Sequence, residues 1–329
     1  MPANLPPQYY EAEKEYRAAR TPQAKIEALE RMLAIMPHHK GTDHLRAELR
    51  AKIAKLQQEI ERQRTAGGGR TPFYTVRKEG AGQVVLAGLP NAGKSALVQA
   101  LTGAPLRVAD YPYTTQVPQP AMMPFEDLQV QIVDTPPVTP GETPGWLRAL
   151  FRQADLLLLI VDLGADPFTE AQTLWDELQS MRIRPHPPGT APTGDDPALP
   201  KKALLVGTKR DLPAAEENAS LLALEWDARL PVLAVSALTG EGLGDLRRRL
   251  VSALEVIRVY AKPPGRPPDL ERPFVLPRGA TVEDLAAAIH HDLKERLRYA
   301  VLWLPNRPAQ RVGRQYVLQD RDIVELHAG

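Results

Sequence analysis

The chain contains no cysteine, which excludes disulfides, thiol nucleophiles and every metal site built on thiolates. It also lacks an excess of either charge. Its 41 Lys and Arg stand against 40 Asp and Glu, a formal net charge of +1. No global field draws it to nucleic acid or an anionic membrane, and any such surface must be local. Long apolar runs are missing too. The longest, Leu156 to Val161, has the length of a buried strand, well short of the ~18 residues of a membrane span. The N-terminal MPANLPPQYY has neither the basic start nor the apolar core of a signal peptide. A soluble, cytoplasmic protein with no membrane partner is expected.

What the chain does have is clear punctuation, and 329 residues are enough for two or three domains. In residues 8–64, Ile26, Leu29, Leu33 and Met36 recur at helical spacing after Thr21-Pro22, a cap followed by a first-turn proline. Leu45, Leu49, Ile53, Leu56 and Ile60 repeat the pattern after Gly41-Thr42. Two amphipathic helices turning back at PHHKG make an antiparallel hairpin. The run TAGGGR, Thr65 to Arg70, ends it as a flexible joint.

From about Gln83 short apolar strands (QVVLA, VQIVD, LLLLIVD, KALLVG, VLAVS) alternate with helical stretches. This is the pattern of a mostly parallel sheet with helices on both faces. A helix from Gly242 (Leu243, Leu246, Leu250, Leu254) closes the domain before the stiff linker Ala261 to Pro268. The remainder reads strand (PFVLP), helix after Thr281, then short strands AVLWL, QYVL and DIVELH, a small α+β module. Residues 183–201, rich in Pro and Gly, read as a surface loop. The expected bounds are 1–70 for the hairpin, 71–262 for the α/β domain and 263–329 for linker and module.

The chemistry starts at GLPNAGKS, Gly88 to Ser95. Average composition would produce this spacing by chance in such a chain only about one time in a hundred. It also lies between an apolar strand and a helix pattern, the context a phosphate cradle needs. Gly88 and Gly93 let backbone N–H groups of Asn91, Ala92, Gly93 and Ala96 converge on phosphate oxygens. Lys94 supplies a point charge and Ser95 a hydroxyl for Mg²⁺. The cradle does not choose between ATP and GTP. That choice falls to TKRD, where Asp211 can accept from the N1–H and exocyclic amine of guanine while Lys209 lies along the base plane. Thr208 opens this loop. A second loop, Ser236, Ala237 and Leu238, could donate a backbone N–H to guanine O6.

Taken in order, GLPNAGKS, YPYTT (Tyr111 to Thr115), DTPP (Asp134 to Pro137), TKRD and SAL resemble the Obg and developmentally regulated GTP-binding (DRG) group of translation-factor-related GTPases. The segment from Glu271 to Gly329 is similar to a TGS domain, a ubiquitin-like β-grasp module. The fold this implies is an α/β P-loop GTPase domain with an N-terminal helical hairpin and a C-terminal β-grasp domain. The implied activity is slow hydrolysis of GTP to GDP with Mg²⁺, on ribosomes or RNA in translation or ribosome assembly. The resemblance assigns Lys94, Thr115 and Asp134 to catalysis. Thr115 would ligate Mg²⁺ and bond the γ-phosphate, and Asp134 would hold the ion through a water. Asn91 matches a position that ligates K⁺ in potassium-activated members of the wider class.

Three departures stand out. Thr208 replaces the usual Asn. Pro137 replaces a Gly whose N–H bonds the γ-phosphate, and proline has none to offer. Val138 stands where Ras-like proteins place the Gln that positions water, as the Obg-like group also lacks it. Two alternatives therefore remain: a nucleotide-dependent RNA- or ribosome-binding module with vestigial hydrolysis, and a P-loop ATPase, which Asp211 opposes.

Local positive charge marks the partner surface. His38, His39, Lys40, His44, Arg46, Arg50, Lys52, Lys55, Arg62, Arg64 and Arg70 face only Asp43, Glu48, Glu59 and Glu61, which suits phosphate-backbone contact or a solvated helix face with internal pairs. In the C-terminal module, Arg307, Arg311 and Arg314 with Trp303 and Tyr316 are candidates to meet RNA. A regulatory protein partner is also open.

Overall fold

The computed structural model describes residues 22–35, 74, 76–104, 117–191, 197–303 and 308–329, with single positions 9, 14, 16, 49, 52 and 53. The chain forms two compact units, Met1–Phe73 and Tyr74–Gly329. In the first, α1 spans Pro22–Ile35 and begins at the proline suited to a first turn. Its Leu29 and Met32 are buried against Tyr9 and Leu49, with Leu33, Ile35 and Ile53 packed alongside. Leu49 and Ile53 are helical and four residues apart, so they share one face. The turn Pro37 to Gly41, the joint Thr65 to Arg70 and every basic residue named around the hairpin except Lys52 lie outside the described residues.

The second unit opens with β1 (Gln83–Gly88), α2 (Lys94–Thr102), β2 (Gln119–Phe125) and β3 (Leu128–Asp134). Next come α3 (Gly145–Gln153), β4 (Leu156–Asp162), α4 (Pro167–Ser180), β5 (Ile183–His186) and β6 (Leu199–Thr208). Then follow α5 (Ala215–Trp226), β7 (Val232–Ala234) and α6 (Leu243–Leu254). The sheet order is β2-β3-β1-β4-β6-β5, with β7 also on β6. Every pairing is parallel except β2 with β3.

The inner strands are apolar throughout because both faces are covered. Val85, Ala87, Leu157, Leu159 and Leu205 meet α3, α4 and α5 through Leu147, Phe151, Leu174 and Trp226. The alternate residues Val84, Leu86, Leu158, Ile160 and Val206 meet α2 and α6 through Leu97, Leu101, Leu246 and Leu250. This stacking leaves the carboxyl ends of β1, β4, β6 and β7 along one edge, where ligands sit in open α/β sheets.

The C-terminal sheet comprises β8 (Val256–Ala261), β9 (Phe274–Pro277), β10 (Leu297–Leu302), β11 (Gln310–Val312) and β12 (Asp322–Ala328). Two helices, α7 (Val282–Ile289) and α8 (His291–Arg296), precede β10. The order is β11-β10-β12-β8-β9. Val282, Leu285 and Ala286 of α7 pack on Val259, Ala300, Leu302 and Val324, and a capping box of Thr281 and Asp284 starts the helix. This is the expected β-grasp.

The structure differs from the sequence reading in four places. Strand β2 was not foreseen: Pro120 and Pro124 mask it, and they are tolerated because it is the sheet's edge strand. Residues 183–201 are not a plain loop, since Ile183–His186 pairs with the start of β6 and Ile183 is fully buried. QYVL is no strand; of it only Val317 bridges, to Thr281. Finally, β8 falls inside the range expected for the α/β domain yet pairs with β12 and β9. A single left-handed residue, Glu255 (φ 55°), separates it from α6, so no composition shift marks the junction. Ala261 to Pro268 then lies within the C-terminal module. Among the described residues no helix is long and apolar enough to cross a membrane.

Candidate functional site

Beyond Gly88 the chain turns sharply into α2. Asn91 (φ 62°) and Gly93 (φ 82°) both occupy the left-handed region, which Asn tolerates better than most residues and Gly adopts freely. A Cβ on Gly88 would lie 2.9 Å from the Ile160 carbonyl oxygen and 3.3 Å from Cδ of Lys94. The glycine therefore permits strand and lysine to close over it. Gly93 caps α2 with no side-chain acceptor. Among the described residues, the amides of Asn91, Gly93, Lys94 and Ala96 have no backbone acceptor. Unfilled donors at the positive end of a helix dipole form an anion site.

Lys94 folds back into this loop and is buried. Its Nζ donates to the carbonyls of Gly88 (3.0 Å) and Leu89 (2.8 Å). Burial pushes the ammonium pKa down to about 8, although Asp134 and Glu170 pull it upward. The Ser95 hydroxyl donates a 2.6 Å hydrogen bond to Asp134 Oδ2. Hydroxyl and carboxylate are hard oxygen donors of the kind Mg²⁺ takes. Next to Asp134, Thr135 donates to the Leu86 carbonyl (2.7 Å) and ties this strand end to β1. Thr115, with the rest of YPYTT, lies outside the described residues.

The loop after Asp134 is held on both sides. Val138 is buried and its N–H donates to the Gly88 carbonyl (3.0 Å). The Gly141 N–H and Thr143 hydroxyl donate to the two oxygens of Glu177 at 3.1 and 2.9 Å. Glu177 went unnoticed in the sequence. The one available signal was position: it shares the buried stripe of α4 with Leu174 and Leu178.

The residues expected to face the base converge at the ends of β6 and β7. Thr208 is buried, with its hydroxyl 2.8 Å from the Ala92 carbonyl and 3.1 Å from that of Val161. It thus links the phosphate loop to β4 where Asn is usual. Lys209 (φ 58°) reaches Asp162 Oδ2 at 2.5 Å. Asp162 also accepts from the Gly164 N–H (2.9 Å), and its own N–H donates to Glu170 (2.8 Å), whose carboxyl burial pushes upward. Asp162 and Glu170 were likewise missed, although Asp162 closes the apolar run at the sheet's ligand edge. The exposed Asp211 accepts from the hydroxyl of buried Ser236, which in turn accepts from the Thr239 N–H (3.1 Å). Ala237 is half-buried and Leu238 is exposed beside it.

In the C-terminal sheet the RNA candidates separate. Arg314 pairs with Glu283 at 2.6 Å, and Tyr316 packs on the core. Arg311 stacks 3.6 Å from the Tyr299 ring centroid, and exposed Trp303 carries Lys262 Nζ 4.4 Å from its centroid. Arg307 lies outside the described residues.

A P-loop carrying Lys94 and Ser95 at the end of β1, with Asp134 beside it, is the arrangement of a P-loop GTPase domain, and a TGS domain follows it. Residues 83–187 match the 50S ribosome-binding GTPase family and residues 257–328 the TGS domain. The two matches place a GTPase domain and a TGS domain in one chain. Over 92% of its length it is 28% identical to an uncharacterized GTP-binding protein of Halobacterium salinarum, covering 98% of that protein. It is 27% identical to developmentally-regulated G-protein 3 of Arabidopsis thaliana, covering 92% of this chain and 97% of that one. To ribosome-interacting GTPase 1 of Saccharomyces cerevisiae it is also 27% identical, over 92% and 98% of the two chains.

Proposed function

We propose that this protein binds GTP and Mg²⁺ and hydrolyses GTP slowly, in the cytoplasm, on a ribosomal particle or structured RNA during translation or ribosome assembly. The observation that carries the reading is the 2.6 Å approach of Ser95 to Asp134 beside the open amides of α2. Ser95 and Asp134 would hold Mg²⁺ with Thr115, and the ion would neutralise charge on the transferring phosphoryl group. Lys94 would leave its carbonyl partners for the β- and γ-phosphates. Asp211, oriented by Ser236, would select guanine. Asn91, whose side chain makes no hydrogen bond among the described residues, would offer its carbonyl oxygen to K⁺. The name of the yeast relative, the basic N-terminal hairpin and the TGS domain support the ribosomal or RNA partner, with room for a regulatory protein.

A second reading, guanine-nucleotide-dependent binding with vestigial hydrolysis, is favoured by one feature. Val138 is buried and its N–H engaged, so no side chain at that position orients water. Turnover of GTP and ATP, each with and without ribosomes, separates the readings. GTP-selective turnover stimulated by ribosomes is expected. Tight GTP binding without turnover would leave the second reading, and equal use of ATP would remove the guanine assignment.

A further inference from the structure

The β2–β3 hairpin runs between two stretches proposed to face the phosphates, the one bearing Thr115 and the one that follows Asp134. Gln119 follows Thr115 by four residues, and β3 ends at Asp134. Seven register pairs, from Gln119↔Asp134 to Phe125↔Leu128, make the hairpin one continuous ladder. At ~3.3 Å per residue it carries a shift at its phosphate end to a tip ~20 Å away. That tip is the two-residue turn Glu126-Asp127, with Glu126 in the left-handed region (φ 52°).

Neither tip carboxylate belongs to the GTPase core. Both are gripped by the C-terminal sheet. Arg258 of β8 ion-pairs with Glu126 and with Asp127 Oδ1 (2.8 Å). The Tyr260 hydroxyl donates to Asp127, and Arg321 pairs with Glu126 at 2.7 Å. Arg258 is fixed from behind by Asp320, which takes Nη2 at 2.6 Å and Nε at 3.1 Å and also accepts the Arg258 backbone N–H at 2.8 Å. The Arg258 side chain is only 11% exposed and Asp127 only 21%, so their charge-assisted contact is screened less than a surface pair, whereas Glu126 and Arg321 meet at the surface. Arg258 and Tyr260 lie on the sheet face opposite the Ile257 and Val259 core. The module therefore presents one face to its own helix and turns the other toward the hairpin tip.

We infer that the C-terminal sheet senses and biases the nucleotide state of the GTPase domain through the Glu126-Asp127 tip. The inference rests on the nucleotide site proposed above. Two nucleotides that place the phosphate-facing loops differently place the tip differently against Arg258. A grip that prefers one placement must then prefer one nucleotide, because coupling between two sites is reciprocal. By the same reciprocity, a partner that tightens or loosens this grip changes nucleotide preference without touching the nucleotide.

The test uses the full-length protein and the double substitution Glu126→Gln with Asp127→Asn, remote from every proposed phosphate or base contact. Calorimetry with GDP and a non-hydrolysable GTP analogue should show GDP binding retained and the ratio of the two affinities changed about threefold or more, within the usual range of such couplings. An unchanged ratio overturns the inference. In the wild type, amide exchange at Arg258 and Arg321, bonded to Asp320 and to the Arg258 carbonyl, should differ between the GDP and analogue-bound forms. Should the double variant fail to fold, this exchange decides, and identical rates overturn the inference. A wild type that binds no guanine nucleotide refutes the site itself and the inference with it.

Discussion

Ser95 lies in the first turn of α2 and Asp134 closes β3, and a 2.6 Å hydrogen bond joins their side chains. Two residues far apart in sequence thus meet where the phosphate cradle ends. Their oxygens are close enough to share one small, hard cation, which would replace the bond between them with two ligand contacts, one of them through a water.

GTP affinity should therefore depend on Mg²⁺ in the wild type and lose that dependence in Ser95→Ala and Asp134→Asn. Titrations with and without chelator check it. Lys94→Ala should weaken both GDP and GTP by at least about 100-fold, since two charge-assisted bonds of about 1.5–3 kcal/mol each are removed. Retained affinity would displace the site.

The Lys94 amine gives a pH dependence with a definite sign. Burial holds it at about 8 in the free protein, and phosphate favours its charged form. Below pH 8 the group is already protonated and contributes a flat affinity. Above pH 8 nucleotide must bring a proton with it, and affinity falls up to tenfold per unit. The GDP dissociation constant should rise about tenfold from pH 7 to 9, and Lys94→Arg should flatten that rise.

Base selection can be separated from base-loop order. Asp211→Asn should relax guanine selectivity so that xanthosine nucleotides compete with GTP. Ser236→Ala keeps the carboxylate but removes the hydroxyl that orients it. Its cost should be about 1 kcal/mol, or roughly fivefold in affinity, with guanine still preferred. Competition binding distinguishes the two patterns.

Pro137 has no N–H, and the structure engages its neighbours. Val138 donates to Gly88 and Gly141 to Glu177. Pro137→Gly should raise the preference for GTP analogues over GDP about tenfold, the value of one hydrogen bond to a charged acceptor. Glu177→Gln should loosen the loop and shift the same ratio less. Equal ratios in all three proteins would show that this loop takes no part in sensing the terminal phosphate.

If Asn91 ligates a monovalent cation, KCl should raise GTP turnover several-fold over NaCl at equal ionic strength, and Asn91→Ala should abolish the difference. Equal rates would assign Asn91 to its left-handed backbone alone (φ 62°).

The legible part of this protein was the part where chemistry and periodicity coincide. Gly88, Gly93, Lys94 and Ser95 sit at fixed spacing after an apolar strand, so the motif announced both fold and cradle. Strand β2 was illegible because Pro120 and Pro124 are strand breakers that only an edge position forgives. Strand β8 was illegible because nothing but Glu255 separates it from a helix. Glu177 and Asp162 escaped for a different reason: each is a lone carboxylate in an apolar pattern, and only the fold reveals which amides and ammonium it serves.

Thr208 has one further consequence. Its hydroxyl lies between the carbonyl of Ala92, in the phosphate cradle, and that of Val161, on the strand beside the base loop. The loops proposed to hold the phosphates and the base are thereby tied at a common point. On the proposed assignment, the half of a nucleotide that docks first should shape the seat for the other. Free guanosine and free pyrophosphate, offered separately, should each bind poorly, and each should sharpen the affinity for the other. The intact nucleotide should gain from this mutual preparation, and a Thr208→Val chain should meet the two fragments as strangers.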